Sequence, residues 1–407
     1  MATQQAQALE PSNQGVIVIG AGLAGWGVID AIRSKDAQIP ITLITSDNGD
    51  RYHKPMLTMA ISQNKQASDL IRATGAEAAQ AANITLLAQT TVTDIDAQTK
   101  QVTICHNSNS QNSNGDVLSS DSTKQLGYEH LVLAMGAHPI FPSSLPQDKV
   151  WHVNHIERFS QLQAALSQGS QHVAIVGAGM VGTEIAEDLL KAGHQVTLID
   201  LNDAPLAQML PAQAIQRIRQ AIESQGIQFL GNCQVLSVEE SAEDNYNYQI
   251  QYKQSQTTGT LLVHQVIAST GLLVDIHLPT QAGIEFDRRT GIAVNPATLQ
   301  TSVADIYAIG DCMSIAGVPC RFVAPLRAQA ATIAGQILGD TDASYEHKSP
   351  MIRLKNKAIS VVVTGEPRAS KSWQVSNETE AELILNQVDA QEEVTATVTI
   401  KAPNIQA

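Results

Sequence analysis

Cysteine is scarce: Cys105, Cys233, Cys312 and Cys320 are the four in 407 residues, and no two form a CxxC pair. That excludes a disulfide scaffold and a cysteine-rich zinc module. Basic charge is in deficit as well, 25 Lys and Arg against 39 Asp and Glu, for a formal net charge of −14. Wrapping nucleic acid or lying on an anionic membrane calls for the opposite sign. Long apolar runs are missing too. The most apolar stretch, Val16 to Ile32, contains Gly20, Gly22, Gly25, Gly27 and Asp30, so it reads as a buried strand turning into a helix rather than a membrane span. The first fifteen residues have neither a basic patch nor an apolar core, so no signal or transit peptide is recognisable and a cytoplasmic location is expected.

What is present suffices for a large folded protein. At roughly 150 residues per domain the length suggests two to three domains, and 43% hydrophobic with 16% charged residues allows a substantial core. GVIVIG runs into AGLAGWGVIDAI and then PITLIT, which reads as strand, helix and strand. HVAIVGAGMVGTEIAEDLLKAGHQVTLID repeats the arrangement. Between them AQTTVTDIDAQTKQVTIC alternates like paired strands, and the polar stretch 106–125 reads as an exposed loop. The last 70 or so residues alternate with period two (ISVVVTG, AELILNQV, VTATVTI) and read as a smaller β-rich unit.

Gly20, Gly22 and Gly25 make a GxGxxG directly between strand and helix, the context of a dinucleotide fingerprint. The first glycine permits the tight turn, the second lets backbone N–H groups approach a pyrophosphate, and the third lets helix pack on strand. The following strand ends on Thr45, and Asp47 two residues later is either the ribose acid or a turn acid in SDNGD. Gly177, Gly179 and Gly182 repeat the motif, and here the next strand ends in Asp200. An acid there accepts both ribose hydroxyls and repels a 2′-phosphate, which favours NADH over NADPH; a turn acid is the plainer alternative.

Two such motifs in series, with DIYAIGDC near residue 310, resemble the two-dinucleotide flavoprotein reductases typified by glutathione reductase. RYHKPMLT at 51 to 58, LVLAMGAHP at 131 to 139, GAGMVGTEIA at 177 to 186 and IYAIGDC at 306 to 312 resemble in particular the rubredoxin reductases and neighbouring ferredoxin reductases. The resemblance implies an α/β fold with two Rossmann-like domains and a small C-terminal α+β interface domain. Its FAD domain would take 14–145 and 265–338, its NAD domain 146–264, and its interface domain 339–407. It implies cofactors FAD and NAD(H). For FAD it points to Gly20, Gly22, Leu23, Ala24, Gly25, Thr45, Asp47, Val92, Ala134, Gly136, Gly271, Gly310, Pro325 and Asp311, the last on the ribityl chain. Lys54 before Pro55 resembles the lysine beside flavin N5, where an ammonium would stabilise developing charge, and Glu184 resembles its ion-pair partner at the nicotinamide. Without the resemblance, Lys54 is a solvated loop residue, Glu184 a dipole-complementing acid near a helix start, and Asp311 a capping acid.

The family's disulfide-handling members carry a redox cysteine just after the first βαβ unit, and residues 47–62 have none. Cys312 and Cys320 therefore read as packing residues. Met135 and the Leu272–Val274 stretch depart from the family's usual ATG and GxRP. The implied activity is NADH reduction of FAD followed by single-electron transfer to rubredoxin, an acidic iron protein, with alkane hydroxylation as a use further downstream. A reductase for a [2Fe-2S] ferredoxin and a non-turnover signalling flavoprotein are the alternatives. The densest basic run, His347, Lys348, Arg353, Lys355 and Lys357, with Arg321 and Arg327 as additions, is either the partner patch or a solvated strand.

Overall fold

The computed structural model describes residues 15–106, 123–349, 351–354, 356 and 359–402. The chain divides into two compact units, one gathering the described parts of Met1–Tyr52, Ile71–His138 and Leu273–Lys348, the other those of His53–Leu70, Pro139–Leu272 and Ser349–Ala407.

In the first unit, Val16–Ile19 is buried at every position and is the central strand of a five-stranded parallel sheet. Ile41–Ile44 and Thr85–Leu87 follow on one side, His130–Leu133 and Ile306–Ala308 on the other. Continuous apolar runs suit such strands because helices or sheets cover both faces. The helices Leu23–Arg33 and Leu326–Ile337 pack against each other. The meander Thr90–Asp96, Gln101–His106 and Lys124–Gly127 is antiparallel, as its alternating pattern predicts. Residues 107–122 of the polar loop lie outside the described residues, as do residues 1–14.

The second unit repeats the parallel theme with Gln228–Leu230, Gln195–Ile199, His172–Val176 and Gln265–Ala268 in that order. A three-stranded antiparallel sheet, Cys233–Glu240, Tyr248–Gln254 and Thr257–Val263, shares a core with it through Val235, Val238, Ile250, Val263 and Val266. The C-terminal segment forms a five-stranded antiparallel sheet whose inner positions, Val361, Val363, Leu383, Leu385, Val398 and Ile400, are buried. Among the described residues after Ile337 there are strands and no helix. The helical part expected of the α+β interface domain is therefore not seen there, in keeping with a segment whose apolar residues alternate with period two rather than 3.6. No helix among the described residues is long and apolar enough to cross a membrane.

Candidate functional site

The two glycine loops have nearly the same construction. Gly20 takes φ +103°, and a Cβ there would lie 2.4 Å from the Ala134 carbonyl oxygen; Gly177 takes φ +107°, and a Cβ would lie 2.3 Å from that of Ser269. A Cβ on Gly25 would come within 2.0 Å of the Gly20 oxygen, and one on Gly182 within 1.9 Å of the Gly177 oxygen. Only glycine fits those four positions. Gly22 and Gly179 differ from them: a Cβ on either meets nothing within 4 Å. Each is the N-cap of its helix, Leu23–Arg33 or Met180–Lys191, with no side-chain cap and no acid in the first turn. Uncapped N–H groups at the positive end of a helix, behind an open glycine, fit a pyrophosphate. These residues therefore fit the two dinucleotides.

The acids beside the loops are set differently. Asp200 turns back onto the second loop, where its Oδ2 accepts the Ala178 N–H at 2.6 Å, while Oδ1 accepts Asn202 N and Nδ2 at 2.8 and 2.7 Å. Asp47 Oδ1 accepts the Thr45 hydroxyl at 2.6 Å and the Gly49 N–H at 2.9 Å. The i+2 contact, from Gly49 N–H to Asp47 and from Asn202 N–H to Asp200, is the turn-acid geometry anticipated as the alternative for both acids. Thr45 is buried.

Of the remaining residues that the resemblance assigns to the flavin, all but Gly271, Lys54 and Pro55 lie within the first unit. Ala134 is buried and donates its N–H to Ile19. Gly136 has φ +68° and open space before it. Gly310, at φ +78°, faces Ala24 of the first loop helix so closely that a Cβ would lie 3.0 Å from the alanine methyl. Asp311 is the middle residue of the short 3₁₀ turn Gly310–Cys312 that follows the strand Ile306–Ala308. Pro325 is the N-cap of the helix Leu326–Ile337, again without a side-chain cap. Val92 is a buried strand residue beside a bulge. Gly271, at φ +102°, belongs to the second unit, where its carbonyl accepts Ile140 N–H at 3.0 Å.

Lys54 and Pro55 open the 3₁₀ turn Lys54–Met59, which belongs to the second unit. Thr58 of that turn donates its hydroxyl to Glu184 Oε2 at 2.7 Å. Glu184 is 6% exposed and lies beyond the first turn of its helix, so dipole complement does not account for it. Sequence spacing could not show this contact, because 126 residues separate the partners.

A family model described as pyridine nucleotide-disulphide oxidoreductase matches residues 14–335. The chain belongs to that family. It is 33% identical over 367 residues, 90% of each chain, to a protein named nitric oxide reductase FlRd-NAD(+) reductase from Escherichia coli O157:H7. It is 32% identical over 387 residues, 95% of each chain, to one of the same name from Shigella dysenteriae. Among solved structures it is similar to the putidaredoxin reductase–putidaredoxin complex, with TM-score 0.81 and 23% identity over 95% of this chain and 90% of the other. It is also similar to NADH:rubredoxin oxidoreductase from Clostridium acetobutylicum, with TM-score 0.74 and 20% identity over 96% and 92%. At those identities the structural likeness concerns the fold.

As a pyridine nucleotide-disulphide oxidoreductase, the protein is a flavoprotein oxidoreductase whose cofactors are FAD and a nicotinamide dinucleotide. Its four cysteines form no disulfide. Cys312 is buried, and burial pushes its thiol pKa up to about 11, which suits the packing role read from the sequence. The basic run fares differently. Arg321 is half-buried and donates through Nη2 to the Arg289 carbonyl at 2.6 Å, and the Asp311 carboxylate offsets part of the burial that lowers its pKa. It makes this contact within the first unit and stays partly exposed. Arg327 is exposed. Lys348 is exposed beside Glu346 at 3.8 Å, and His347 Nδ1 lies 2.9 Å from the Tyr345 hydroxyl. Arg353 is exposed but belongs to the other compact unit, and Lys355 and Lys357 lie outside the described residues.

Proposed function

We propose that the protein is an NADH-dependent reductase that passes electrons through FAD to rubredoxin or a rubredoxin-like iron centre. Residues 14–145 with 265–338 hold FAD, 146–264 hold NADH, and 339–407 form the acceptor side. FAD, when bound, would supply the conversion of a hydride from NADH into single electrons. The chain's own residues bind and orient. The two open loops at Gly22 and Gly179 take the pyrophosphates, with Leu23, Ala24, Ala134, Gly136, Gly271, Gly310, Asp311 and Pro325 completing the flavin contacts. Asp200 takes the adenosine ribose of NADH and disfavours a 2′-phosphate, and no arginine in 201–209 would reward one. Lys54 and Glu184 act at the reacting end, the ammonium stabilising charge that develops on the flavin. The observation that carries this reading is the Thr58–Glu184 hydrogen bond, which ties the turn bearing Lys54 to the helix that opens at the second glycine loop.

Rubredoxin is the acceptor we favour: a protein of like fold is named NADH:rubredoxin oxidoreductase, and relatives at 33% identity are named nitric oxide reductase FlRd-NAD(+) reductase. Lys348 and Arg353, with Lys355 and Lys357, are the docking residues we propose, and delivery to a nitric oxide reductase or an alkane hydroxylase is the downstream use. Anaerobic mixing with NADH in a stopped-flow spectrometer should bleach the oxidised-flavin band, and adding rubredoxin should restore it. Restoration by a [2Fe-2S] ferredoxin alone would move the acceptor to that class. No bleaching by NADH or NADPH would end the reductase reading.

A further inference from the structure

Asp188 lies one helical turn beyond Glu184, on the same face of Met180–Lys191. It is 5% exposed, a costly place for a carboxylate unless donors surround it. The donors come from the segment that carries Lys54. Ile61 N–H donates to Asp188 Oδ2 at 2.9 Å, Ser62 N–H to Oδ1 at 3.2 Å, and the Ser62 hydroxyl to Oδ1. Two acids four residues apart thus hold the segment at two points, Glu184 at Thr58 and Asp188 at Ile61 and Ser62. Leu57 and Ala60, between Lys54 and Ser62, are buried. Burial raises the Asp188 pKa while the three donors pull it down, the balance expected of a carboxylate kept for its acceptors.

We propose that Asp188 is a positioning residue for hydride transfer: by gripping Ile61 and Ser62 it fixes, on the second glycine-loop helix, the turn that carries Lys54. The inference rests on the reductase reading and adds a residue to it. Displacing a charged group by about 1 Å from its working place can cost about a hundredfold in rate. A leucine would bury more readily at this position, so the acid serves the grip rather than the helix's own packing.

The test uses FAD-loaded enzyme reduced by NADH under anaerobic conditions. If the wild type does not bleach, the reductase reading fails, which is distinct from failure of this inference. With a wild type that bleaches, Asp188→Ala should slow the limiting reduction rate by about tenfold to a hundredfold and change the apparent NADH affinity by less than about threefold. Asp188→Asn retains one acceptor oxygen and should lose less. In a Lys54→Met background, Asp188→Ala should have little further effect, under about twofold, since the two act through one step. Equal losses in both backgrounds would assign Asp188 a general structural role and overturn the inference, as would an unchanged rate in Asp188→Ala. Should Asp188→Ala fail to fold with flavin, Asp188→Asn and Ser62→Ala carry the same cycle: a loss confined to the Lys54 background supports the grip, and equal losses or none overturn it.

Discussion

At Gly22 and Gly25, three residues apart, an added methyl meets opposite surroundings. Gly25→Ala drives a Cβ to 2.0 Å from the Gly20 oxygen, and the helix must shift off the strand at a cost of about 1–3 kcal/mol. Gly22→Ala meets nothing within 4 Å at an ordinary φ of −73°, so the apoprotein should keep its stability while its affinity for FAD falls. Thermal melting of apoprotein and flavin titration separate the two: a destabilised Gly22→Ala, or an undisturbed Gly25→Ala, would contradict the loop geometry. The glycine spacing was legible in the sequence because the third glycine of each motif answers to the first within one βαβ unit, whereas the Ala134 and Ser269 carbonyls behind Gly20 and Gly177 lie far along the chain. Arg321 was not legible, since a lone charged residue within GVPCRFVAP gives no sign that its guanidinium will lie half-buried against the Arg289 carbonyl. Nor was Asp188, whose partners lie 126 and 127 residues away.

Among elements, the 53–70 segment departs most from a sequence reading. RYHKPMLT is recognisable by resemblance, yet the polar residues around it give no period by which to assign the segment to one half of the chain. The structure ties it to the second unit at several places, including a two-way clasp on the helix Ile156–Leu166. There Gln163 Nε2 donates to the Lys65 carbonyl at 2.7 Å, and Gln163 Oε1 accepts the Ala67 N–H at 3.0 Å. Removing both bonds in Gln163→Ala should loosen the segment by about 1–3 kcal/mol of local stability. Hydrogen exchange reads this directly: amides of 61–70 should exchange faster while the strand Val16–Ile19 keeps its protection. Acceleration spread across the whole chain would mean that Gln163 supports the fold at large. The strands and loop helices were far easier to read, because VIVI and HVAIV are apolar runs that announce their burial.

For the whole molecule, acid sensitivity follows from three histidines. Burial lowers the pKa of His130, His172 and His194 below the ordinary value. A histidine held neutral in the fold binds more protons once unfolded, so its contribution is present above the unfolded pKa and lost as pH falls below it. The loss begins near pH 6.5, the ordinary histidine value. Asp188 works in the opposite sense, since its raised pKa favours the fold as pH drops toward the carboxylate range, but that window lies lower. Melting temperature should therefore fall between about pH 7.5 and about pH 5.5. A flat or rising profile would show that these rings gain partners when charged.

The near-identity of the two loops bears on how small nucleotides would distribute over the molecule. Since the 2.4 and 2.3 Å contacts behind Gly20 and Gly177 and the open fronts at Gly22 and Gly179 are shared, neither loop distinguishes one adenylate from another by its backbone. FAD and NADH have the adenosine diphosphate half in common, so selectivity must come from side chains beside the loops, such as Asp200, and from whatever lies beyond that half. Free ADP is then a ligand for both loops in principle, and it competes in practice only where the resident dinucleotide leaves on every turnover. In a reductase of the proposed kind, ADP should compete with NADH at the exchanging site and leave the resident one untouched.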